Sequence, residues 1–116
     1  MWEIPNVKGN HIEKLDHPCQ FPVGLAERLV RALCPKDGIV FDPFMGSSST
    51  GVGAITNNRR FLGAEINEKY AKLAHDRLVK AYRGTAPIRP ADRPIYVATS
   101  GDAVARRPQH FVEIVQ

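Results

Sequence analysis

An acid and a run of small hydroxyl residues stand together in the stretch FDPFMGSSSTG, residues 41–51. Asp42 closes an apolar run, and Gly46 permits a close approach of the backbone to a ligand. Glu65 closes the next apolar run, 23 residues after Asp42, where an acid typically accepts hydrogen bonds from ribose hydroxyls. Because Asp42 would repel a phosphate, the pattern predicts an adenosine ligand with a positively charged or ammonium-bearing tail.

Two common nucleotide-binding motifs do not fit this stretch. A phosphate-binding P-loop requires Gly-Lys-Ser/Thr, and no lysine occurs between Lys36 and Lys69. A dinucleotide-binding fingerprint requires a third glycine where this chain has Thr56. From the residues alone a simpler alternative stays open, in which Asp42 and the serines only cap a helix.

Alternating helix and strand patterns across residues 23–83 must position these groups. The segments IVFDPF and RRFLGAEI have the composition of strands. A first helix ends at Pro35 and is expected to bury one face, formed by Leu25, Ala26, Leu29, Val30 and Leu33. A second helix begins in the serine run, and its Gly51 and Gly53 require very close packing.

A third helix follows the second strand. Asn67 can cap it, and its inward face is expected to carry Tyr70, Ala71, Ala74, Leu78 and Ala81. The order helix, strand, helix, strand, helix predicts parallel βαβ units in a three-layer α/β domain.

The composition fits one soluble domain. The chain has 116 residues, a net charge of +4 and a pI near 9.3, which favours an anionic partner such as nucleic acid. It contains no apolar run long enough for a membrane span and no signal-peptide core, so we expect a cytoplasmic protein. We expect no metal site, because the spacing of His11, His17, Cys19 and Cys34 matches no zinc pattern.

Residues 38–78, GIVFDPFMGSSSTGVGAITNNRRFLGAEINEKYAKLAHDRL, resemble the S-adenosylmethionine-binding segment of the DNA amino-methyltransferases, which methylate adenine N6 or cytosine N4. HPCQFPVGLAERLV resembles the segment that precedes it in the permuted β class, and residues 1–18 resemble the lead-in from the catalytic half. The resemblance covers residues 2 to about 82. It implies a partial Rossmann-like methyltransferase fold in residues 1–83, followed by a Pro/Arg-rich connector and a small β-like extension in residues 84–116.

The resemblance also implies roles for individual residues. Glu65 would hold the ribose of S-adenosylmethionine. The loop around the methionine part would contain Asp42, Pro43, Phe44, Gly46, Ser47, Ser48, Ser49 and Thr50. From the preceding segment the cofactor would be approached by His17, Pro18, Phe21 and Pro22. The family often has Gly-Ser-Gly-Thr-Thr where this chain has GSSST, and Ser49 in place of a glycine is expected to restrict φ in the turn.

The family's catalytic motif is absent from these 116 residues. That motif, Asp/Asn/Ser-Pro-Pro-aromatic, grips the target amino group of a flipped base, and this sequence contains no Pro-Pro pair. We therefore expect half of a DNA methyltransferase, with no catalytic residue of its own, unpaired strand edges and an exposed apolar sheet face. The expected partners are DNA and either a second copy or a separate catalytic chain. The alternatives are a non-catalytic cofactor-binding or interaction subunit and an inactive truncated remnant.

The last third of the chain lies outside the resemblance. Four arginines are candidates for contacts to DNA phosphates, with a solvated tail as the alternative: Arg89, Arg93, Arg106 and Arg107. The runs PIYVAT and HFVEIV predict a small β-hairpin-like addition, with its turn at Gly101–Asp102.

Overall fold

The computed structural model describes residues 3–9, 11–95 and 99. Its elements follow the predicted order: α1 (Val23–Leu33), β1 (Ile39–Asp42), α2 (Ser49–Thr56), β2 (Arg60–Gly63) and α3 (Glu68–Tyr82). β1 and β2 form a parallel pair in which Val40 lies opposite Phe61 and Asp42 opposite Gly63. The α/β class and the parallel βαβ unit are therefore confirmed.

Helix α2 packs closely against its neighbours through its two glycines. A Cβ atom on Gly51 would lie 2.6 Å from a methyl group of Leu78 and 2.7 Å from the Phe61 ring. A Cβ on Gly53 would lie 3.0 Å from both the Cβ of Ala26 and the backbone nitrogen of Glu27 in α1. Close packing thus explains why two poor helix formers occur in this helix, as the sequence predicted.

Helix α1 buries a narrower face than its apolar pattern predicts. Val23, Ala26 and Val30 are buried, but Leu29 is half exposed and Leu33 is 80% exposed. The prediction that all five apolar residues point into the core is therefore wrong for these two leucines. Within the described residues they line an apolar groove beside Ile39 and Val40 instead.

The sheet has one covered face and one exposed face. Phe61 packs towards α2 and Gly51, and strand alternation places Ile39, Phe41 and Leu62 on the opposite side. Phe41 and Leu62 are each 60% exposed. In the part of the chain that the structure describes, the predicted exposed apolar face is therefore confirmed.

Helix α3 begins at the predicted cap. The Asn67 side-chain oxygen accepts hydrogen bonds from the backbone N–H groups of Lys69 and Tyr70, which satisfies two donors that the helix cannot pair itself. The inward face follows the prediction, with Ala74 and Ala81 buried, but Arg77 is buried among them. Arg77 occupies the apolar stripe because it lies three residues after Ala74 and four before Ala81.

The connector after α3 contacts the core. Ala86 and Ile88 pack against the buried cluster of Val23, Val52 and Ala81. The boundary at residue 83 stays a prediction, and the predicted β-like runs and turn after residue 95 lie almost wholly outside the described residues. No helix in the described ranges has both the length and the apolar character needed to cross a membrane.

We predict that Gly51→Ala destabilises the chain by about 1–3 kcal/mol, because the new methyl group overpacks the junction of α2, α3 and β2. Gly24→Ala in α1 is the matched control, since nothing lies within 4 Å of its added Cβ, and it should be neutral or stabilising by up to about 1 kcal/mol. Chemical denaturation measures both free energies of unfolding. Equal effects of the two substitutions would contradict the close packing at Gly51.

Candidate functional site

A cavity of about 430 Å³ lies beside the carboxyl ends of β1 and β2, where ligands of α/β proteins usually bind. Its volume is within the range of small-molecule sites. Seven residues predicted from the sequence line it: His17, Phe21, Phe44, Gly46, Ser47, Ser49 and Glu65. The fold thus brings together residues from the segment before α1, the loop after β1 and the loop after β2.

Glu65 connects the loop after β1 to the loop after β2 by hydrogen bonds at the carboxyl ends of the strands. β2 ends at Gly63, so Glu65 lies two residues beyond it rather than at its last position. One carboxylate oxygen accepts a hydrogen bond from the Gly46 N–H at 3.0 Å, and the other accepts one from the Asn67 N–H at 2.8 Å. Because a carboxylate has about four acceptor sites, Glu65 can still accept hydrogen bonds from ligand hydroxyls.

Asp42 shapes the turn that follows β1. Its Oδ1 accepts a hydrogen bond from the Phe44 N–H at 3.1 Å, an arrangement that fixes the first turn of the loop. Asp42 lies behind the cavity lining rather than in it. Five other predicted residues are also outside the lining: Pro18, Pro22, Pro43, Ser48 and Thr50.

Gly46 lies in close contact with a histidine. Its φ is +53°, and a Cβ atom there would lie 2.9 Å from Nε2 of His17. The His17 ring in turn contacts the Tyr70 ring edge-on, with 4.5 Å between the ring centroids. Only glycine therefore allows the loop to approach His17 in this conformation.

The strained residue of the serine run is Ser48. Its φ of 60° and ψ of 45° are left-handed, whereas Ser49 begins α2. The prediction that Ser49 takes the place of the glycine is therefore wrong by one position. Ser48 is fully buried, and its hydroxyl has no hydrogen-bond partner among the residues that the structure describes.

The buried Ser49 hydroxyl fixes the loop after β1 through two hydrogen bonds. It donates to the carbonyl oxygen of Phe21 at 2.7 Å and accepts from Nη1 of Arg77 at 2.9 Å. Arg77 Nη1 also donates to the carbonyl oxygen of Ser47 at 3.1 Å. Two of the cavity-lining serines are thus fixed from behind by one buried guanidinium group.

Six lining residues were not predicted: Cys19, Gln20, Met45, Ile66, Asn67 and Tyr70. Four of them lie next to predicted residues on the same loops, and Asn67 lies two residues after Glu65, so proximity in sequence was the available signal. Tyr70 had a different signal, because it occupies the first turn of α3 one turn after the Asn67 cap. That position points its ring back towards the loop after β2.

The electrostatics of the site accommodate both signs of charge. The N-terminus of α2 begins at Ser49 beside the cavity, without an acidic residue in its first turn, and a helix N-terminus favours an anionic group. Glu65 in the lining and Asp42 behind it favour cations and hydroxyl donors. The site therefore suits a ligand that carries a carboxylate, an ammonium group and ribose hydroxyls.

An ion pair at the surface ties the segment before α1 to α3. Lys69 Nζ lies 2.5 Å from Asp16 Oδ2, and this contact lowers the pKa of Asp16 and raises that of Lys69. Both side chains are mostly exposed, so the pair contributes little to stability. Its effect is local, since Asp16 precedes His17 at the cavity.

Two of the four predicted DNA-contacting arginines, Arg89 and Arg93, lie within the described residues. The Arg89 guanidinium donates to carbonyl oxygens of its own segment, those of Pro90, Arg93 and Pro94. Arg93 is exposed, and Arg106 and Arg107 lie outside the described residues. In residues 3–9, 11–95 and 99, no group of three His, Cys, Asp or Glu side chains is placed to hold a metal ion.

Comparison with known proteins decides the family. Residues 1–76 match the N6_N4_Mtase family model, described as DNA methylase. The chain belongs to the DNA methylase family. Type II methyltransferase M.ScaI of Streptomyces caespitosus is 39% identical over 82 residues, which cover 67% of this chain and 27% of that protein. DNA adenine methyltransferase YhdJ of Escherichia coli K12 is 41% identical over 78 residues, which cover 67% of this chain and 26% of YhdJ.

Solved structures support the same fold for this methylase chain. The putative DNA modification methylase TTHA0409 of Thermus thermophilus, solved in complex with S-adenosyl-L-methionine, is 42% identical with a TM-score of 0.53, over 55% of this chain and 27% of its own. The M1.HpyAVI–SAM complex is 36% identical with a TM-score of 0.52, over 56% of this chain and 34% of its own. The methylase chain therefore has part of the Rossmann-like methyltransferase fold. It spans about a quarter of the length of the curated relatives named above.

We predict that Gly46→Ala destabilises this methylase chain more than Gly84→Ala does. Both glycines have positive φ, but nothing lies within 4 Å of a Cβ on Gly84. Gly84→Ala should therefore cost only the left-handed backbone penalty of about 1–2 kcal/mol, whereas Gly46→Ala adds the clash with His17. Denaturant unfolding of both variants measures the difference.

The clash can be isolated by repeating Gly46→Ala in a His17→Ala background. We expect the extra cost over Gly84→Ala to disappear there, because the new methyl group then meets no ring. An unchanged extra cost would show that His17 does not restrict this position.

Proposed function

We propose that this chain is the S-adenosylmethionine-binding portion of a DNA methyltransferase that methylates an exocyclic amino group, adenine N6 or cytosine N4. The observation that carries the proposal is the convergence of seven residues of the resembling motifs on one cavity at the carboxyl ends of two parallel strands. The S-adenosyl-L-methionine complexes among the structural relatives support the same ligand.

The residues present fit this cofactor. When bound, S-adenosylmethionine supplies an activated methyl group on a sulfonium. The α2 N-terminus suits the carboxylate of its methionine part, and Asp42 suits the positive charges of that part. Glu65 suits the ribose hydroxyls, while Phe44 and Ile66 offer apolar surface for the adenine. Each functional group of the ligand thus has a complementary group in or behind the cavity.

The residues that grip the target base come from outside this sequence, since it has no Pro-Pro pair. Recognition of a flipped base requires hydrogen bonds to its edge and an aromatic or apolar stacking surface. We propose that the half that supplies them packs against the exposed sheet face formed by Ile39, Phe41 and Leu62. Covering that face would bury apolar area that water otherwise contacts.

Contacts to DNA phosphates are proposed for arginines of the last third of the chain. Arg93, Arg106 and Arg107 are the candidates, supported by the net charge of +4 and the affinity of Arg for phosphate. Arg89 is a weaker candidate, because its guanidinium is occupied by carbonyl oxygens.

We predict different ligand profiles for substitutions of the two acids, measured by calorimetry with S-adenosylmethionine and with 5′-methylthioadenosine, which lacks the aminoacyl part and the positive charge. Asp42→Asn keeps the oxygen that accepts from Phe44 but removes the charge. It should weaken S-adenosylmethionine binding about 10-fold to 100-fold and leave methylthioadenosine binding nearly unchanged. Glu65→Gln should weaken both ligands, because both contain the ribose.

Asp76→Asn is the matched control, since Asp76 is an exposed carboxylate on α3 away from the cavity. It should bind both ligands as the unmodified chain does. If the unmodified chain bound no S-adenosylmethionine, or if Asp42→Asn weakened both ligands equally, the proposed assignment would be contradicted.

We predict that the chain alone binds S-adenosylmethionine but transfers no methyl group to DNA. Incorporation of a labelled methyl group into duplex DNA is the measurement. The reason is that the sequence contains no Pro-Pro pair, which the family's catalytic motif requires for its contact with the target amino group. Methylation of DNA by the purified chain alone would contradict the proposal that the residues that bind the target base come from outside this sequence.

A further inference from the structure

A buried arginine holds the two residues on either side of the strained serine. Arg77 is 4% exposed, and its Nη1 donates to the carbonyl oxygen of Ser47 and to the hydroxyl of Ser49. Ser48, between them, has left-handed φ and ψ. One rigid planar group therefore fixes the chain immediately before and immediately after this residue.

Ser48 requires such support. A left-handed conformation costs a non-glycine residue of order 1–2 kcal/mol, and the Ser48 hydroxyl is buried without a hydrogen-bond partner. The backbone bonds of Ser48 are a turn, with its N–H donating to the Met45 carbonyl oxygen at 2.7 Å and its own oxygen accepting from Val52. Nothing in the Ser48 side chain offsets the strain, so the contacts of its neighbours must do so.

Glu13 makes the burial of Arg77 possible. Its Oε2 lies 3.7 Å from Nη2 of Arg77, and the carboxylate is 1% exposed. The burial of Arg77 lowers its pKa, and the nearby carboxylate opposes this shift. The same carboxylate accepts hydrogen bonds from the Val23 N–H and the Arg89 N–H, each at 2.9 Å, so Glu13 is itself held in place.

We propose that Arg77, with Glu13 as its counter-ion, is a positioning residue that maintains the left-handed turn at Ser48. This keeps Ser47 and Ser49 directed into the cofactor cavity and the α2 N-terminus in place. The proposal rests on the proposed function only for the identity of the ligand, because the turn and its contacts exist without it.

Hydrogen exchange of the unliganded chain tests the proposal without any cofactor. In Arg77→Lys the charge remains, but the planar guanidinium is lost, whose Nη1 donates to both Ser47 and Ser49 while its Nη2 faces Glu13. We expect the backbone amides of residues 48–52 to exchange at least about tenfold faster than in the unmodified chain, while those of β1 and β2 change much less. An equal acceleration throughout the chain would mean that Arg77 stabilises the whole fold and does not position the turn.

Rescue by a glycine separates positioning from general stability. Glycine adopts left-handed φ without a penalty, so Ser48→Gly in the Arg77→Lys background should recover most of an expected loss of about tenfold in S-adenosylmethionine affinity. Gly24→Ala in the same background is the control, since it favours the α1 helix far from the turn and should not recover the affinity. Recovery by both or by neither would overturn the proposal.

Two variants address the case in which Arg77→Lys does not fold. Ser49→Ala removes one hydrogen bond of the guanidinium without removing either buried charge. It should accelerate hydrogen exchange at residues 48–52 and weaken cofactor binding. Thr56→Ala is matched to it, because the Thr56 hydroxyl also bonds to the α2 backbone, at Val52, but lies away from the cavity. Equal behaviour of these two variants would contradict the role of Arg77. Failure of the unmodified chain to bind the cofactor would instead contradict the proposed function, and the exchange result would still decide this inference.

Discussion

The buried pair of Glu13 and Arg77 connects three separate segments of this molecule. Through hydrogen bonds it reaches the start of α1 at Val23, the connector at Arg89, and the serine loop. A buried charge without its partner costs about 3–5 kcal/mol, which is a large share of the stability of a small domain. The two charges must therefore be buried together, and the segments that contact them become ordered together.

The loop after β1 shows how this constraint serves a site. The non-glycine residues with positive φ in the described part are Asp37, Ser48 and Asn58. Asp and Asn tolerate that conformation because their short polar side chains bond locally, and both lie at ordinary surface turns. Ser48 has neither advantage and is buried at the cavity. Strain at such a residue persists only where the surrounding contacts hold the backbone in place. Here the Arg77 guanidinium provides those contacts, because it bonds to the residues on either side of Ser48.

The elements of this fold were predictable, and the contacts that hold its loop were not. The strands and α3 follow from periodicity, and the Asn67 cap and close packing at the α2 glycines from residue type. Leu33 was misassigned because its helical position matches the apolar face, although none of the described residues covers it and it is 80% exposed. Arg77 lies on the same stripe as Ala74 and Ala81, but a single charged residue on a helix is usually at the surface. Its partner Glu13 is 64 residues away in an irregular segment, where no periodicity reveals burial.

The two strands differ in how their two faces are covered, and the cavity depends on only one of those faces. Both strands carry apolar residues on both faces, the pattern of a parallel sheet covered on each side. α2 covers the face of Val40 and Phe61, and the pairing of the two strands with the Met45–Ala64 backbone hydrogen bond places the loop after β1 beside the loop after β2. Ile39, Phe41 and Leu62 on the other face contribute nothing to the contacts among Glu65, Gly46 and Asn67 that close the cavity. The geometry of the cavity therefore depends on one side of the sheet, and the other side is an exposed apolar face.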